Sequence, residues 1–342
     1  NLVALVLLLL SILILLVMFN LAYALNRSSV YVSESQMEGR NYAYEIQLDT
    51  VKQQLPEDLA NQKAENSGMY TTYSKSDCEI QLDRNKKEML HQTVGAFDAK
   101  QTMFELFDQN GSQIGFPKEG EVVISEHISE TYGIRKEDRI RLWIGEKAFD
   151  LKVCAIAENA ETNWIYMQKE QLNQILGYSE KAYCGILSNA AVLEENAHVV
   201  TREEREAMLK RNTVSNQISA VICEVVGCVI GCILLLLAIA LNFQSNLSDR
   251  KILHLLGYEP KEIRHLLSDV YKPVIFAGFL LMIFPSLGIV KVVLRSLSRQ
   301  IEEYLHFQTG IWIQAFILAV IFAIYFLIQG LYAGTKEGKE NE

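Results

Sequence analysis

Four long stretches almost free of charge leave this chain few ways to fold. The first runs from Leu2 to Leu25, with no charged residue before Arg27. The second runs from about Ile218 to Phe243 and is broken only by Ser219, Glu224 and Asn242. The third runs from Pro273 to about Leu294 with Pro285 inside it, and the fourth from Ile311 to Tyr332. At about 1.5 Å per residue, each is long enough to cross a hydrocarbon core of roughly 30 Å. A proline within such a helix is tolerated when neighbouring helices satisfy the freed backbone groups.

Charge is segregated just as sharply. The formal net charge of −9 over 342 residues falls entirely within Arg27–Asn212. That pattern excludes a single soluble globule, and it excludes a basic nucleic-acid binder. The expected fold class is an α-helical membrane protein with four transmembrane helices and a large mixed α/β extracytoplasmic domain between helices 1 and 2. The expected boundaries are 1–26 for helix 1, 27–212 for the outer domain with its stalk, and 213–243 for helix 2. A cytoplasmic loop follows at 244–272, then helix 3 at 273–294, an outer loop at 295–310, helix 4 at 311–333 and a tail at 334–342.

A cleaved signal peptide is the rival reading of the first stretch, and Ala22-Tyr23-Ala24 has the small-residue form of a cleavage site. The run exceeds a normal signal core and no basic segment precedes it, so a retained helix is expected. A chain opening on Asn1 is expected to continue upstream. Orientation follows from basic residues in short loops. Arg250, Lys251, Lys261, Arg264, Lys272, Lys336 and Lys339 mark one side, against Lys291, Arg295 and Arg299 on the other. The acidic domain is therefore expected outside.

Within that domain, Tyr42–Leu48 alternates weakly and Met103–Phe107 is strand-like. Asn110-Gly111 between them and the next segment predicts a hairpin turn. Glu121–Ser125, Arg139–Trp143, Phe149–Ala157 and Trp164–Met167 read as strands, and Glu126–Tyr132 and Lys169–Leu176 as helices. Thr201–Asn212 is charged and helix-prone, and is expected to run into the second membrane helix as a stalk.

The stretch Gly120–Leu142 resembles the extracytoplasmic core domain of MacB-like ABC permeases. The shared features are a strand ending in Ser125-Glu126, a helix closed by Gly133, and a turn ending at Asp138. Glu137 stands where the family's turn glycine sits. The order of strand, loop, strand and helix over Phe149–Leu176 is similar too. A second stretch, Asn242–Leu267, resembles the cytoplasmic segment of FtsX-like permeases at Ser248, Arg250, Lys251, Leu256, Gly257, Glu262 and Ile263.

Physical reasoning on that segment agrees with a turn between two short helices. Gly257 permits a chain reversal. Pro260 suits the first turn of a helix, with Glu259 and Glu262 near its positive end. Ile263, Leu266 and Leu267 share one apolar face. One reading is a loop lying on lipid, although a plain lipid anchor would be more basic. The resemblance implies the other, a coupling element that docks on a cytoplasmic ATPase through Ser248, Arg250, Lys251, Leu253, Leu256, Gly257, Tyr258, Glu259, Glu262, Ile263 and Leu266.

The chain carries no Gly-x-x-x-x-Gly-Lys-Ser/Thr loop, no His-Glu-x-x-His and no Gly-x-Ser-x-Gly. Gly334–Glu340 has glycines and lysines but no hydroxyl after a lysine. No catalytic residue, cofactor or metal is expected, and ATP hydrolysis is expected on a separate subunit. Three cysteines, Cys78, Cys154 and Cys184, fall in the outer domain, so at least one stays unpaired. In the second apolar stretch, Gly227 and Gly231 form a small-xxx-small pair. It permits close packing within the chain or against a partner. Glu224 must face protein or water, or lie at headgroup level.

The resemblance implies a permease subunit, or half of one, in the plasma membrane of a bacterium. Its partners would be a cytoplasmic ABC ATPase, a second permease half (a homodimer or heterodimer) and the lipid bilayer, with no nucleic acid. It implies motion passed to the outer domain for export or removal of a peptide, lipid or drug. The acidic domain could steer cationic peptides. The alternatives are a non-transporting scaffold that controls a cell-wall hydrolase or sensor kinase, and a membrane-anchored receptor without an ATPase.

Overall fold

A computed structural model describes residues 2–56, 69–83, 86–190, 197–245, 255–256, 271–301 and 304–337. The chain divides into two units. One comprises Asn1–Ser28, Ser215–Leu294 and His306–Glu342, and the other Ser29–Val214 and Arg295–Leu305.

The first unit is helical. Its parts belong to α1 (Leu2–Ser35), α4 (Arg202–Ser245), α5 (Tyr271–Ile301) and α6 (Ile311–Glu337). The core of this unit is built around α1. Leu8, Ile12, Leu15, Leu16 and Phe19 recur at helical spacing and are buried with Leu235 and Ala238 of α4, Ile275 and Phe279 of α5, and Ile317, Ile321 and Tyr325 of α6. The opposite faces stay apolar and exposed, as at Val221, Val225, Val229 and Ile233 of α4 and Leu280, Leu281 and Phe284 of α5. Such faces suit lipid or protein rather than water.

Three described helices are long and apolar enough to cross a membrane, within Leu5–Ser35, Arg202–Ala238 and Lys272–Gln300. Within α6 the described apolar part, Ile311–Leu327, is a shorter helix, so among the described residues three spans rather than the expected four meet that length. The helices also overrun the expected boundaries. The first continues to Ser35 rather than ending near residue 26, and the third continues to Ile301. Helical hydrogen bonding propagates through polar residues once an apolar segment has nucleated it.

The second unit is mixed α/β, with eleven described strands. Its centre is a ring of six. The long β2 (Tyr70–Asp83) pairs along one edge with β3 (Lys86–Phe97), which runs parallel to β9 (Trp164–Gln168). β9 lies beside β6 (Glu121–Ser125), β6 beside β8 (Lys147–Ala157), and β8 beside β7 (Arg139–Ile144). β7 returns to β2, with Glu79 opposite Trp143. The sheet therefore closes into a barrel, which removes open edges from those strands.

Alternation sets the barrel's contents. Cys78 and Ile80, Val94 and Ala96, Val122 and Ile124, Ile140 and Leu142, Leu151 and Val153, and Ile165 and Met167 point inward as one cluster. The outward residues Tyr73, Phe97, Val123 and Tyr166 form a second cluster with Tyr42, Met103, Phe104 and Leu187. Beyond the other half of β2, the sheet extends through β10 (Tyr183–Ser188), β1 (Tyr44–Lys52) and β11 (Ala197–Thr201).

Local chemistry explains the short elements. The helix α2 (Glu126–Tyr132) starts where the Ser125 hydroxyl accepts the Ile128 N–H, and ends at Gly133 with φ +75°. The second, α3 (Lys169–Leu176), ends at Gly177 in the same conformation. The expected hairpin joins β4 (Leu106–Phe107) to β5 (Gln113–Ile114). Its turn is held by the Asp108 carboxylate, which accepts from the N–H groups of Asn110 and Ser112 at 2.9 Å. The cysteines Cys78, Cys154 and Cys184 are free thiols.

Candidate functional site: helix ends held in the α/β unit

Most expected coupling residues, namely Ser248, Arg250, Lys251, Leu253, Gly257, Tyr258, Glu259, Glu262, Ile263 and Leu266, lie outside the described residues. Leu256 is described and is exposed, as is Leu255. Gly227 and Gly231 face α1 of the same chain. A Cβ on Gly227 would stand 2.3 Å from Met18 Cβ, and one on Gly231 would stand 2.4 Å from Leu15 Cδ2. The close approach of the two helices depends on hydrogen at both positions.

The densest polar chemistry among the described residues lies in the α/β unit, where the helix ends belonging to that unit are held. Arg205, in the second turn of α4, places Nη1 2.5 Å from Glu45 Oε2 and Nη2 2.5 Å from Glu161 Oε1. Arg40 places Nη2 3.3 Å from the same Glu161 oxygen and donates from Nη1 to the Tyr42 hydroxyl at 2.7 Å. Tyr42 in turn lies 3.5 Å from Glu45 Oε2. These five residues close a ring. Tyr73 donates to the other Glu45 oxygen at 3.0 Å. The Arg40 side chain also donates from Nε to the Gln36 carbonyl and stacks over the Phe104 ring, 5.4 Å from its centroid.

The ring contains two guanidinium groups and two carboxylates, so its charges balance. The Arg40 and Glu45 side chains are only 4% and 5% exposed, which makes that balance necessary. Burial alone would raise the Glu161 pKa, but Arg205 and Arg40 outweigh it and hold the carboxyl below its usual range. Burial also opposes the charge on Arg40, and Tyr42 and Glu161 more than restore it. Burial pushes the phenols of Tyr42, Tyr73 and Tyr166 up, so they remain proton donors.

The loop between β8 and β9 receives most of these contacts. Besides Glu161, its Glu158 accepts the Tyr31 hydroxyl of α1 at 2.5 Å. Thr162 accepts from Gln36 at 3.1 Å. Asn159 is fully buried and donates to the carbonyls of Glu38 and Glu105 while accepting the Phe107 N–H. Gly39 completes the fit, since it has φ +70° and a Cβ there would meet the Glu105 carbonyl at 2.3 Å.

A second cluster holds the end of α5. Arg299 donates to the Thr131 carbonyl at 2.9 Å and lies over the Tyr132 ring. Tyr304 hydrogen-bonds Glu126 and packs edge-on to His127, with centroids 5.7 Å apart. Glu126 also accepts from Tyr31 and Gln109. Burial lowers the His127 pKa to about 4, so the ring is neutral at pH 7. It raises the Tyr304 phenol, with Glu126 adding to the effect.

The sequence pattern does not reveal this arrangement. Arg205 sits among glutamates in a segment that reads as a solvated stalk, and its partners are 160 and 44 residues away. No periodicity carries that pairing. The arrangement has no nucleophile–base pair, and no group of residues able to hold a metal occurs among the described residues. What it can do chemically is fix helix ends to a β-barrel.

No family model matches the chain, and no curated protein matches it. Among solved structures, it is similar to the periplasmic region of MacB from Actinobacillus actinomycetemcomitans, with a TM-score of 0.30 and 11% identity over 51% of this chain and 92% of that one.

Proposed function

We propose that this chain is the permease subunit, or half of one, of an FtsX/MacB-like ABC transporter with four membrane spans and an extracytoplasmic α/β domain. In this reading, a separate cytoplasmic ATPase moves the loop 244–272. Helix α4 then carries the motion outward, and the α/β domain acts on a peptide, lipid or drug in or near the outer leaflet. The observation that carries the reading is α4 itself. It is a single helix, Arg202–Ser245, whose early turns are ion-paired within the α/β unit and whose far end leads into the family-like loop. At about 1.5 Å per residue, a continuous helix of this kind is long enough to serve as a lever for that motion. The motif matches at Ser248, Arg250, Lys251, Leu256, Gly257, Glu262 and Ile263 support the ATPase as partner.

The test is co-purification from the native host in mild detergent. The wild-type chain should bring down an ATPase, while Gly257→Pro and the Glu259→Lys, Glu262→Lys double variant should not. Failure to recover any ATPase with the wild type, in several detergents and with nucleotide present, would count for a receptor instead. Substrate movement in reconstituted vesicles would separate a transporter from a scaffold that only activates a wall hydrolase or kinase.

A further inference from the structure

Glu161 offers one oxygen to two arginines that belong to different parts of the chain. Arg205 is fixed to α4, and Arg40 follows α1 by five residues. The two contacts are unequal, at 2.5 Å for Arg205 and 3.3 Å for Arg40. Arg40 has few alternatives, because Tyr42, the Gln36 carbonyl and the Phe104 ring already hold it. Arg202, three residues before Arg205, donates to the Arg40 carbonyl at 2.7 Å. The α4 start and the segment after α1 are therefore tied twice, once through Glu161 and once directly.

Removing Arg205 would leave a ring of one cation and two carboxylates. That ring cannot keep its geometry in a buried setting, because the carboxylates would repel and Glu161 would be left with Arg40 alone. Glu161 lies in the loop that also holds Tyr31 through Glu158 and Gln36 through Thr162. A change at Arg205 thus reaches the end of α1 through one short loop, while its other contact, Glu45, leads to Tyr42 and Arg40 in the segment after that helix.

We propose that Glu161 is a positioning residue that couples the start of α4 to the end of α1, so that displacing one releases the other. This coupling does not depend on the ATPase reading, since it would operate equally in a transporter, a scaffold or a receptor.

Hydrogen–deuterium exchange on the full chain in detergent tests it directly. Arg205→Met should speed amide exchange at least tenfold in residues 202–210 and also in residues 29–42, while the barrel strands β6 and β9 keep their protection. Glu161→Gln should loosen the same two segments. Adding Arg205→Met to Glu161→Gln should then change residues 29–42 by less than twofold. Arg205→Lys, which keeps the charge and part of the contact, should recover most of the protection in residues 29–42. The proposal is overturned if Arg205→Met loosens only residues 202–210, or if its effect on residues 29–42 is undiminished in the Glu161→Gln background. If Arg205→Met lowers barrel protection as well, the Arg205→Lys and Glu161→Gln pair decides. Parallel loosening of both segments supports the coupling, and loosening of one alone overturns it.

Discussion

Arg205 and Glu161, 44 residues apart in sequence, meet at 2.5 Å between Nη2 and Oε1, and the same guanidinium reaches Glu45 with its other terminal nitrogen. Breaking such a network by removing one partner leaves an uncompensated charge. Glu45→Gln should therefore cost about 3 kcal/mol. A thermal melt of the purified chain, following the β signal of the α/β unit, would read this as a clear loss of Tm. A variant that melts with the wild type would mean the ring contributes nothing net.

Acid should weaken the α/β unit in two stages. His127 has its pKa lowered by burial to about 4. Between its ordinary value near 6.5 and that value, the unfolded chain binds a proton that the folded chain does not, so stability falls as pH falls. The loss amounts to about 3 kcal/mol across this window. Glu161, held below the usual carboxylate range, adds a further loss below the unfolded carboxylate pKa. In His127→Phe the first stage should vanish and the second remain, which a series of melts from pH 7 to pH 3.5 would show.

Among the described glycines, Gly39 alone joins a left-handed backbone to a backbone atom in the way of a side chain. It combines φ +70° with a carbonyl oxygen at 2.3 Å from where a Cβ would stand. Gly39→Ala should cost at least about 2 kcal/mol. Gly111 has φ +73° with open space around it, so Gly111→Ala should show the smaller backbone cost alone. Equal losses for the two would contradict the steric account.

Glu137 is the only non-glycine residue with positive φ among the described residues, at +76°. It lies in the turn between α2 and β7. Its side chain pairs with Lys152 at 2.6 Å on the surface, a contact of small value. Glu137→Gly should raise stability by about 0.5–1 kcal/mol, because relief of left-handed strain exceeds the lost pair and the added chain entropy. A denaturant titration showing a lower midpoint would refute this.

In the helical unit, Gly231→Val would drive a side chain into Leu15 of α1, where a Cβ meets Cδ2 at 2.4 Å. Overpacking of that kind costs about 1–3 kcal/mol. Val229→Leu, on an exposed face of the same helix, should leave the melting temperature in detergent unchanged. If both behave alike, packing against α1 does not limit this unit.

Much of the α/β unit was legible where a single element carried its own signal. Glu121–Ser125 is β-branched, Ser125 caps the helix that follows, and Asn110-Gly111 makes its turn locally. The long antiparallel pair of β2 and β3 is not legible, because β2 interleaves Lys75, Asp77 and Glu79 with only Cys78 and Ile80 facing inward. Nor is β10, whose Gly185 weakens any strand signal. That glycine is there because the Tyr73 ring occupies the place of its Cβ, at 2.2 Å.

By itself, the sequence determined the segregation into apolar helices and one acidic α/β segment, since hydrophobic length and charge are properties of contiguous residues. It also determined the caps and tight turns, which form within a few residues. Only the tertiary structure decided that β7 returns to β2 to close a barrel, and that Arg40, Glu45, Glu161 and Arg205 form one neutral ring. Those outcomes join residues scores of positions apart. The pairing lowers the free energy only after the fold has removed water from around the charges, and no local pattern encodes that.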